Sequence, residues 1–472
     1  MQDVVSTRQK KVTRKLSADW NRRLQIFSTY GTVHNISFFI HLCADYFITH
    51  IEIQNTNMIK TDVCIIGAGP GGAAAALRLA QLGIPSVLID KAKFPRDKIC
   101  GDGMTGRTVA ILNRIDPSIV DDLEKMPNEA ADSWGVIFSM DNKRHFPVPF
   151  RRDYNKADDR KPCFVSKRID FDNHLIEKVR KQPLVQLFEE KNIEKHVFTE
   201  GGGWTVSDKS GAFEVQCKIL IVANGPLSPF VRHVANIKVD PKHNAAAVRA
   251  YYENVGGNHA DNFIELHFLK DYLPGYFWIF PLPNGGANVG FGMLSSTISD
   301  RKINLKKSLL EIIENRPGIK ERFANAKLDG DIVGFPLPLG SKRRQLSGDN
   351  YMLIGDAACL VDPLTGEGIG NAVYSGYIAA DQAEKCLKAN NFSAEFMKDH
   401  DVRVWRVMGT ELNLSYRLQR LGNYPGIFNF VLWTASRNVQ ISDLVYSMFN
   451  NIDVRKKVLN PVFWFKMLIN AK

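Results

Sequence analysis

The stretch TDVCIIGAGPGGAAAALRLAQLGIPSVLIDK, residues 61–91, constrains this chain more than any other. The apolar run Val63–Ile66 reads as a buried parallel strand. Ala73–Gln81 reads as an alanine-rich helix that Gly83 ends, and Val87–Asp90 as a second strand. Between the first strand and the helix lie Gly67, Gly69 and Gly72 in G-x-G-x-x-G spacing. The first glycine permits a tight turn, the second lets backbone approach a pyrophosphate, and the third lets helix pack on strand. The helix N-terminus then faces the phosphates. Asp90 ends the second strand about 20 residues on, where a carboxylate can bind ribose hydroxyls. A glycine-rich structural turn would show the same glycines. The strand before, the helix after and the acid in place favour a dinucleotide.

A second element lies far downstream, LIGDAACLVDPLTGEGIGNA at residues 353–372. Gly355 and Asp356 close a strand, and Asp356 can accept from a ribityl or ribose hydroxyl. Gly366 and Gly368 precede another helix start, whose amides can meet the negative end of a reduced flavin. Two such elements, so far apart, resemble the FAD-binding oxidoreductases of the glutathione-reductase-like superfamily. Arg168, followed by Phe171, Asp172 and Leu175 as F-D-x-x-L, resembles the helix that contacts FAD there. The plainer reading is a solvated arginine on an amphipathic helix.

Three further stretches narrow the family: KxCGDG at Lys98–Gly103, Y-x-W-x-F-P with Tyr276, Trp278, Phe280 and Pro281, and PLTGEGI at Pro363–Ile369. In chain order they resemble the geranylgeranyl reductase family, over most of the chain from about Asp62. The resemblance implies a para-hydroxybenzoate-hydroxylase-like fold: α/β, α+β overall, with a Rossmann-like FAD-binding domain of three-layer ββα architecture. It also implies an inserted antiparallel β-sheet substrate domain and a helical C-terminus. The FAD-binding domain is expected from residues 58–108, 161–235 and 341–400, and the substrate domain from 109–160 and 236–340. Residues 401–472 are expected to be helices. Lys91, Gly101, Asp102 and Ile369 are implied as further FAD contacts, and Cys100, Tyr276 and Trp278 as the catalytic set.

The implied reaction is delivery of hydride from reduced FAD to an isoprenoid C=C, completed by a proton. On a strand, Tyr276, Trp278 and Phe280 share one face and can wall an apolar slot; ordinary core packing gives the same spacing. Cys100 admits three readings: a buried small residue, a reactive thiol near Lys91, Lys93, Arg96 and Lys98, or a residue beside the flavin that shapes or protonates the alkene. One departure stands out. Asn224-Gly225 occupies the place where related flavoproteins usually carry Asp-Gly, which puts a nicotinamide or pyrophosphate contact there in doubt. The electron donor is left open between NAD(P)H and another reductant.

The chain has 472 residues and a net charge of +11. That charge suits an anionic lipid surface or a phosphorylated substrate. The basic residues are scattered, and no zinc-finger spacing or RNA-binding signature occurs, so nucleic acid is not an expected partner. Seven cysteines at irregular spacing, without C-x-x-C, argue for a reducing compartment and against a metal site. The segment Ile36–Ile48 falls short of the ~18 apolar residues of a spanning helix. Residues 1–57 read as a leader of doubtful status or an over-extended reading frame. The tails at residues 424–433 and 454–472 mix bulky apolar and basic groups, as a peripheral membrane contact or a packed helix pair would. The expected location is cytoplasmic, with the inner membrane face as a peripheral site. The function expected is saturation of a long isoprenoid: a geranylgeranyl group, a prenyl lipid or a menaquinone side chain. The alternatives are a flavin-dependent monooxygenase or halogenase on the same fold, and a non-catalytic lipid-binding or redox-sensing flavoprotein.

Overall fold

A computed structural model describes residues 58–426, apart from 142, 143, 152, 423 and 425. Residues 1–57 and the aromatic, basic tail from residue 427 onward lie outside the described residues.

Period-two alternation along the strand Ile59–Ile66 decides two layers at once. Val63 and Ile65 face one side and Cys64 and Ile66 the other, all of them buried. A strand buried on both faces belongs in the middle of a parallel sheet. Its neighbours Glu214–Val222 and Ser86–Ile89 both pair with it in parallel. The main path of this eight-stranded sheet is Ser347–Gly348, Tyr351–Leu353, Glu214–Val222, Ile59–Ile66, Ser86–Ile89, Val185–Phe188, parallel except for the first pair, and the hairpin Ile193–Thr199 and Gly203–Asp208 joins it antiparallel on Glu214–Val222. Val63, Ile65, Leu88 and Ile219 pack on the helices Pro70–Gln81, Arg168–Arg180 and Ile369–Ala389. On the other face, Cys64, Ile66, Leu220 and Val222 meet Trp204 and Val206 of an antiparallel hairpin, and Val404 and Met408 of the helix Asp399–Leu421. The first helix starts at Pro70 rather than Ala73, because proline is pre-set for a first helical position.

The second sheet has seven strands, ordered Lys327–Pro338, Asn244–Glu253, Ala287–Leu294, Tyr276–Pro281, Ile264–Phe268, Gly135–Met140, Arg144–Pro149. It is antiparallel except where Ile264–Phe268 runs parallel to Gly135–Met140. Phe277 and Phe291, both 0 % exposed, face the helix Leu305–Asn315. Their burial contributes roughly 1.5–3 kcal/mol each. Tyr276, Trp278 and Phe280 necessarily turn the other way. A small sheet of Gly103–Met104, Cys163–Ser166 and Ala130–Ser133 anchors the end of the KICGDG loop. Among the described residues no helix is long and apolar enough to cross a membrane.

Candidate functional site

A cavity of about 1030 Å³ opens where the carboxyl ends of the parallel strands, at Ile66, Ile89 and Ile354, meet the second sheet. Open α/β sheets bind ligands in this crevice. Gly67 turns at φ 103°, and a Cβ there would come within 2.6 Å of the Ala223 carbonyl. A Cβ on Gly72 would lie 1.9 Å from the Gly67 carbonyl oxygen; this glycine packs helix on strand and does not reach the cavity. Around Gly69 the nearest atom to such a Cβ is an Arg96 nitrogen at 3.8 Å, so its backbone is open to the cavity. No side chain caps this helix N-terminus and no acid lies in its first turn. The Asn224 Oδ1 beside it is buried with no hydrogen-bond partner in the protein. Free helix amides and a glycine cradle fit the pyrophosphate of a dinucleotide cofactor, and the unpartnered amide oxygen fits one of its hydroxyl donors.

Asp90 is turned to the protein's own backbone: its Oδ2 accepts from the Ala68 amide at 2.7 Å and its Oδ1 from Ala92 at 2.9 Å. It braces the glycine turn, and each oxygen keeps a second lone pair for a hydroxyl. Lys91 lines the cavity next to it. Gly355, Asp356, Gly366, Gly368 and Ile369 line the opposite side. Lys98 reaches to 3.7 Å from the Asp356 carboxylate. Gly366 turns at φ 71°, and a Cβ on it would lie 2.7 Å from the Tyr276 hydroxyl. The amides following Gly368 are not all free, because the Gly370 N–H donates to Glu367 Oε1 at 2.6 Å.

Arg168 is not solvated. It is 5 % exposed and grips Asp172 through two bonds, Nε to Oδ1 at 2.6 Å and Nη2 to Oδ2 at 2.8 Å. Arg96 donates to the same carboxylate at 2.7 Å. Burial works against the charge of Arg168, yet Asp172 and the Cys100 side chain beside it hold its pKa above the ordinary value. The arginine of the F-D-x-x-L helix therefore sits against the Cys100 thiol, at the cavity wall.

The KICGDG loop faces the aromatic strand. A Cβ on Gly101 or on Gly103 would come within 3.3 Å of the Phe280 ring, so Cys100, Gly101, Asp102, Trp278 and Phe280 crowd one edge of the cavity. One side chain ties the two together. Asn288 Oδ1 accepts from the Trp278 indole at 2.9 Å, while its Nδ2 donates to the Cys100 carbonyl and to Asp102 Oδ2, both at 2.8 Å. The Tyr251 hydroxyl donates to the same Asp102 oxygen at 2.8 Å. Asp102 is 0 % exposed, holds φ 67°, and leaves Oδ1 without a partner. Burial pushes its carboxyl up to about 7, against the lowering by Asn288, Tyr251, Arg249 and Arg168. Its carboxylate thus serves the clasp around Asn288.

Beyond Trp278 the cavity is an apolar slot walled by Phe138, Phe146, Val148, Ile264, Leu266 and Phe268. The slot alternates as strands require, since Glu265 and His267 point to the other face of the sheet and pair with each other. Tyr276 closes one end, its hydroxyl donating to the Thr365 carbonyl at 2.6 Å. Glu411, Ser415 and Leu418 of the helix Asp399–Leu421 complete it.

Sequence reasoning misses Asn288, Tyr251 and Glu367. For Asn288 a signal exists: in ANVGFGML the small and polar Asn288, Gly290 and Gly292 alternate with Val289, Phe291 and Met293. That pattern marks a face over which a large ring lies, and a Cβ on Gly290 would fall 2.0 Å from the Trp278 ring.

The model of an FAD-binding domain family matches residues 60–256. A menaquinone reductase of Mycobacterium tuberculosis is 30% identical over 68% of this chain and 76% of that protein. A digeranylgeranylglycerophospholipid reductase of Thermoplasma volcanium is 29% identical over 72% and 82%. A solved geranylgeranyl bacteriochlorophyll reductase-like protein of Thermoplasma acidophilum superimposes with a TM-score of 0.66 at 23% identity, over 88% of this chain and 97% of that one. A flavin-dependent brominase superimposes with 0.68 at 19% identity, over 86% and 99%, so likeness of fold does not separate reductase from halogenase.

Proposed function

From the premise that this chain belongs to the geranylgeranyl reductase family of FAD-dependent oxidoreductases, we propose that it saturates C=C bonds in the isoprenoid chain of a prenyl lipid or a menaquinone. FAD is its cofactor. The observation that carries the proposal is the apolar slot: the Tyr276, Trp278 and Phe280 rings face the KICGDG loop, and Phe138, Leu266 and Phe268 extend the wall away from it. A hydrophobic slot of this kind accepts a long hydrocarbon and excludes water.

The chain's own residues divide the work. Gly67, Gly69, Asp90, Lys91, Asn224, Asp356, Gly366, Gly368 and Ile369 surround the cofactor space, and bound reduced FAD supplies hydride. Cys100, beside Arg168 and held by Asn288 at its carbonyl, shapes the end of the slot next to that space. Tyr276 and Trp278 orient the alkene. Both polar atoms of these rings are engaged by the protein, so they offer the substrate only apolar surface.

The test uses the FAD-loaded protein, reduced anaerobically with dithionite and offered geranylgeranyl diphosphate and menaquinone. The expected result is oxidation of the flavin with a gain of two hydrogens per reduced double bond by mass. Reduced flavin that ignores both lipids, but yields hydroxylated or halogenated products with oxygen, overturns the reading. Cys100→Ser is expected to retain FAD and lower kcat; unchanged turnover removes Cys100 from the reacting set.

A further inference from the structure

An isolated C=C carries no heteroatom, so the carbon that does not take hydride must receive a proton from a group inside the slot. Most acids on the cavity wall are already committed. Asp90 holds two backbone amides, Asp102 the clasp, and Asp362 the amides of Leu364 and Thr365 at 2.9 Å each. The Tyr276 hydroxyl points at a carbonyl, and burial raises its pKa further.

Glu367 differs. It lies between Gly366 and Gly368, two residues from the carbonyl that anchors Tyr276, where the glycine turn meets the aromatic wall. It is half-buried and lines the cavity. Its hydrogen bonds fall on Oε1, from the Gly370 N–H at 2.6 Å and the Thr105 hydroxyl at 3.4 Å. Oε2 is left as the oxygen that can carry a proton. Arg107 is a cation that acts on it, but its guanidinium is engaged by Glu411 and Asn371.

We propose that Glu367 is the acid that protonates the alkene, an inference resting on the prenyl-reductase reading above. As hydride reaches one carbon, the π pair forms a C–H bond with the Glu367 proton at the other. The O–H bond breaks, and its pair stays on the carboxylate. The carboxylate regains a proton from water when the product leaves.

The electrostatics agree with this role. Burial pushes the Glu367 carboxyl up to about 7; Arg107 and the Gly370 amide pull it down, and Glu411 and Asp362 push it up. The groups facing it are thus Arg107 on the helix Gly106–Ile115, Glu411 on the helix Asp399–Leu421, Asp362 in its own loop, and Cys163, whose thiol burial and Glu367 together raise to about 12. The acid form is the active one, so the lipid-dependent rate falls as pH rises through about 7.

Glu367→Gln keeps the acceptor for Gly370 and removes the proton. In the FAD-loaded enzyme, with whichever prenyl lipid the wild type reduces, single-turnover flavin oxidation is expected to fall about 10²–10⁴-fold. KM stays within about threefold, and the pH limb near 7 disappears. Glu367→Asp keeps the limb and regains part of the rate. A second readout needs no turnover: in an Asp102→Asn background, infrared titration shows a neutral carboxyl band lost near pH 7, absent once Glu367→Gln is added. Wild-type rate and pH limb in Glu367→Gln overturn the proposal. So does a limb that vanishes in Cys100→Ser instead. If the wild type reduces no prenyl lipid, the functional reading fails, while the infrared titration still reports on Glu367.

Discussion

Gly290→Ala is expected to lower kcat/KM for the prenyl substrate by about 10²-fold while bound FAD per chain stays unchanged. Gly290 lies directly across from Trp278 in the sheet, and the indole lies over it. An added Cβ would fall 2.0 Å from Cζ2 and 2.5 Å from Cε2 and Cη2 of that ring. The ring must move by an ångström or more, because the Cβ is fixed to backbone paired on both sides. Movement breaks the 2.9 Å bond to Asn288 and drives the indole into the slot. A misplacement of about 1 Å near a reacting centre costs on the order of 10²-fold in rate. Overpacking costs a further ~1–3 kcal/mol of stability. The check is steady-state kinetics beside flavin absorbance. A second change, Trp278→Phe, removes the clashing half of the ring and is expected to restore part of the lost stability. Unaltered kcat/KM in Gly290→Ala would falsify the placement of Trp278 at the reacting end.

Asp102→Asn is expected to stabilise the protein above pH 7. The folded-state pKa of Asp102 is raised from 3.8 to about 7, the reverse of the usual aspartate case. Between those values the folded state binds a proton that the unfolded state has released. Stability therefore falls as pH rises from about 4 to about 7, and the deficit is complete above 7. A shift of about three units corresponds to on the order of 4 kcal/mol at its fullest. Asparagine reproduces the neutral acid: its oxygen still accepts from Tyr251 and Asn288, and its amide takes the place of the unpartnered Oδ1. Asparagine also tolerates the φ of 67° held at this position. Urea unfolding between pH 4 and 9 should show the wild-type slope reduced in the variant. Equal slopes in the two proteins would mean that Asp102 ionises normally. Glu367 contributes in the same direction, so the difference between the two proteins is the quantity to read.

The parts of this molecule that were legible in the sequence are those whose physics is local. The glycine turn at residues 67–72 announces itself because strand, turn and helix are consecutive and each glycine has a steric reason. Tyr276, Trp278 and Phe280 fall on one face because a strand allows nothing else. The strand Lys327–Pro338 was not visible, since it lies at a sheet edge, half of its residues exposed, with glycines and prolines in place of alternation. The clasp was invisible for a different reason. Asn288 and Asp102 are 186 residues apart, and neither has a neighbour in sequence that hints at the other. Arg168 lies between these cases. The F-D-x-x-L pattern brings Asp172 four residues after it, the spacing of a helical ion pair, but its burial depends on the KICGDG loop folding over it.

The Asn288 clasp makes the apolar slot and the KICGDG loop one mechanical unit. On the proposed function, a prenyl chain that leans on Trp278 would be felt at the Cys100 carbonyl through two hydrogen bonds on one amide. Coupling of this kind is reciprocal by thermodynamic necessity. If a bound prenyl chain shifts the flavin's midpoint potential, then the redox state of the flavin shifts affinity for that chain by the same free energy. Measuring lipid affinity to the oxidised and the reduced protein thus reports the same quantity as a potentiometric titration with and without lipid.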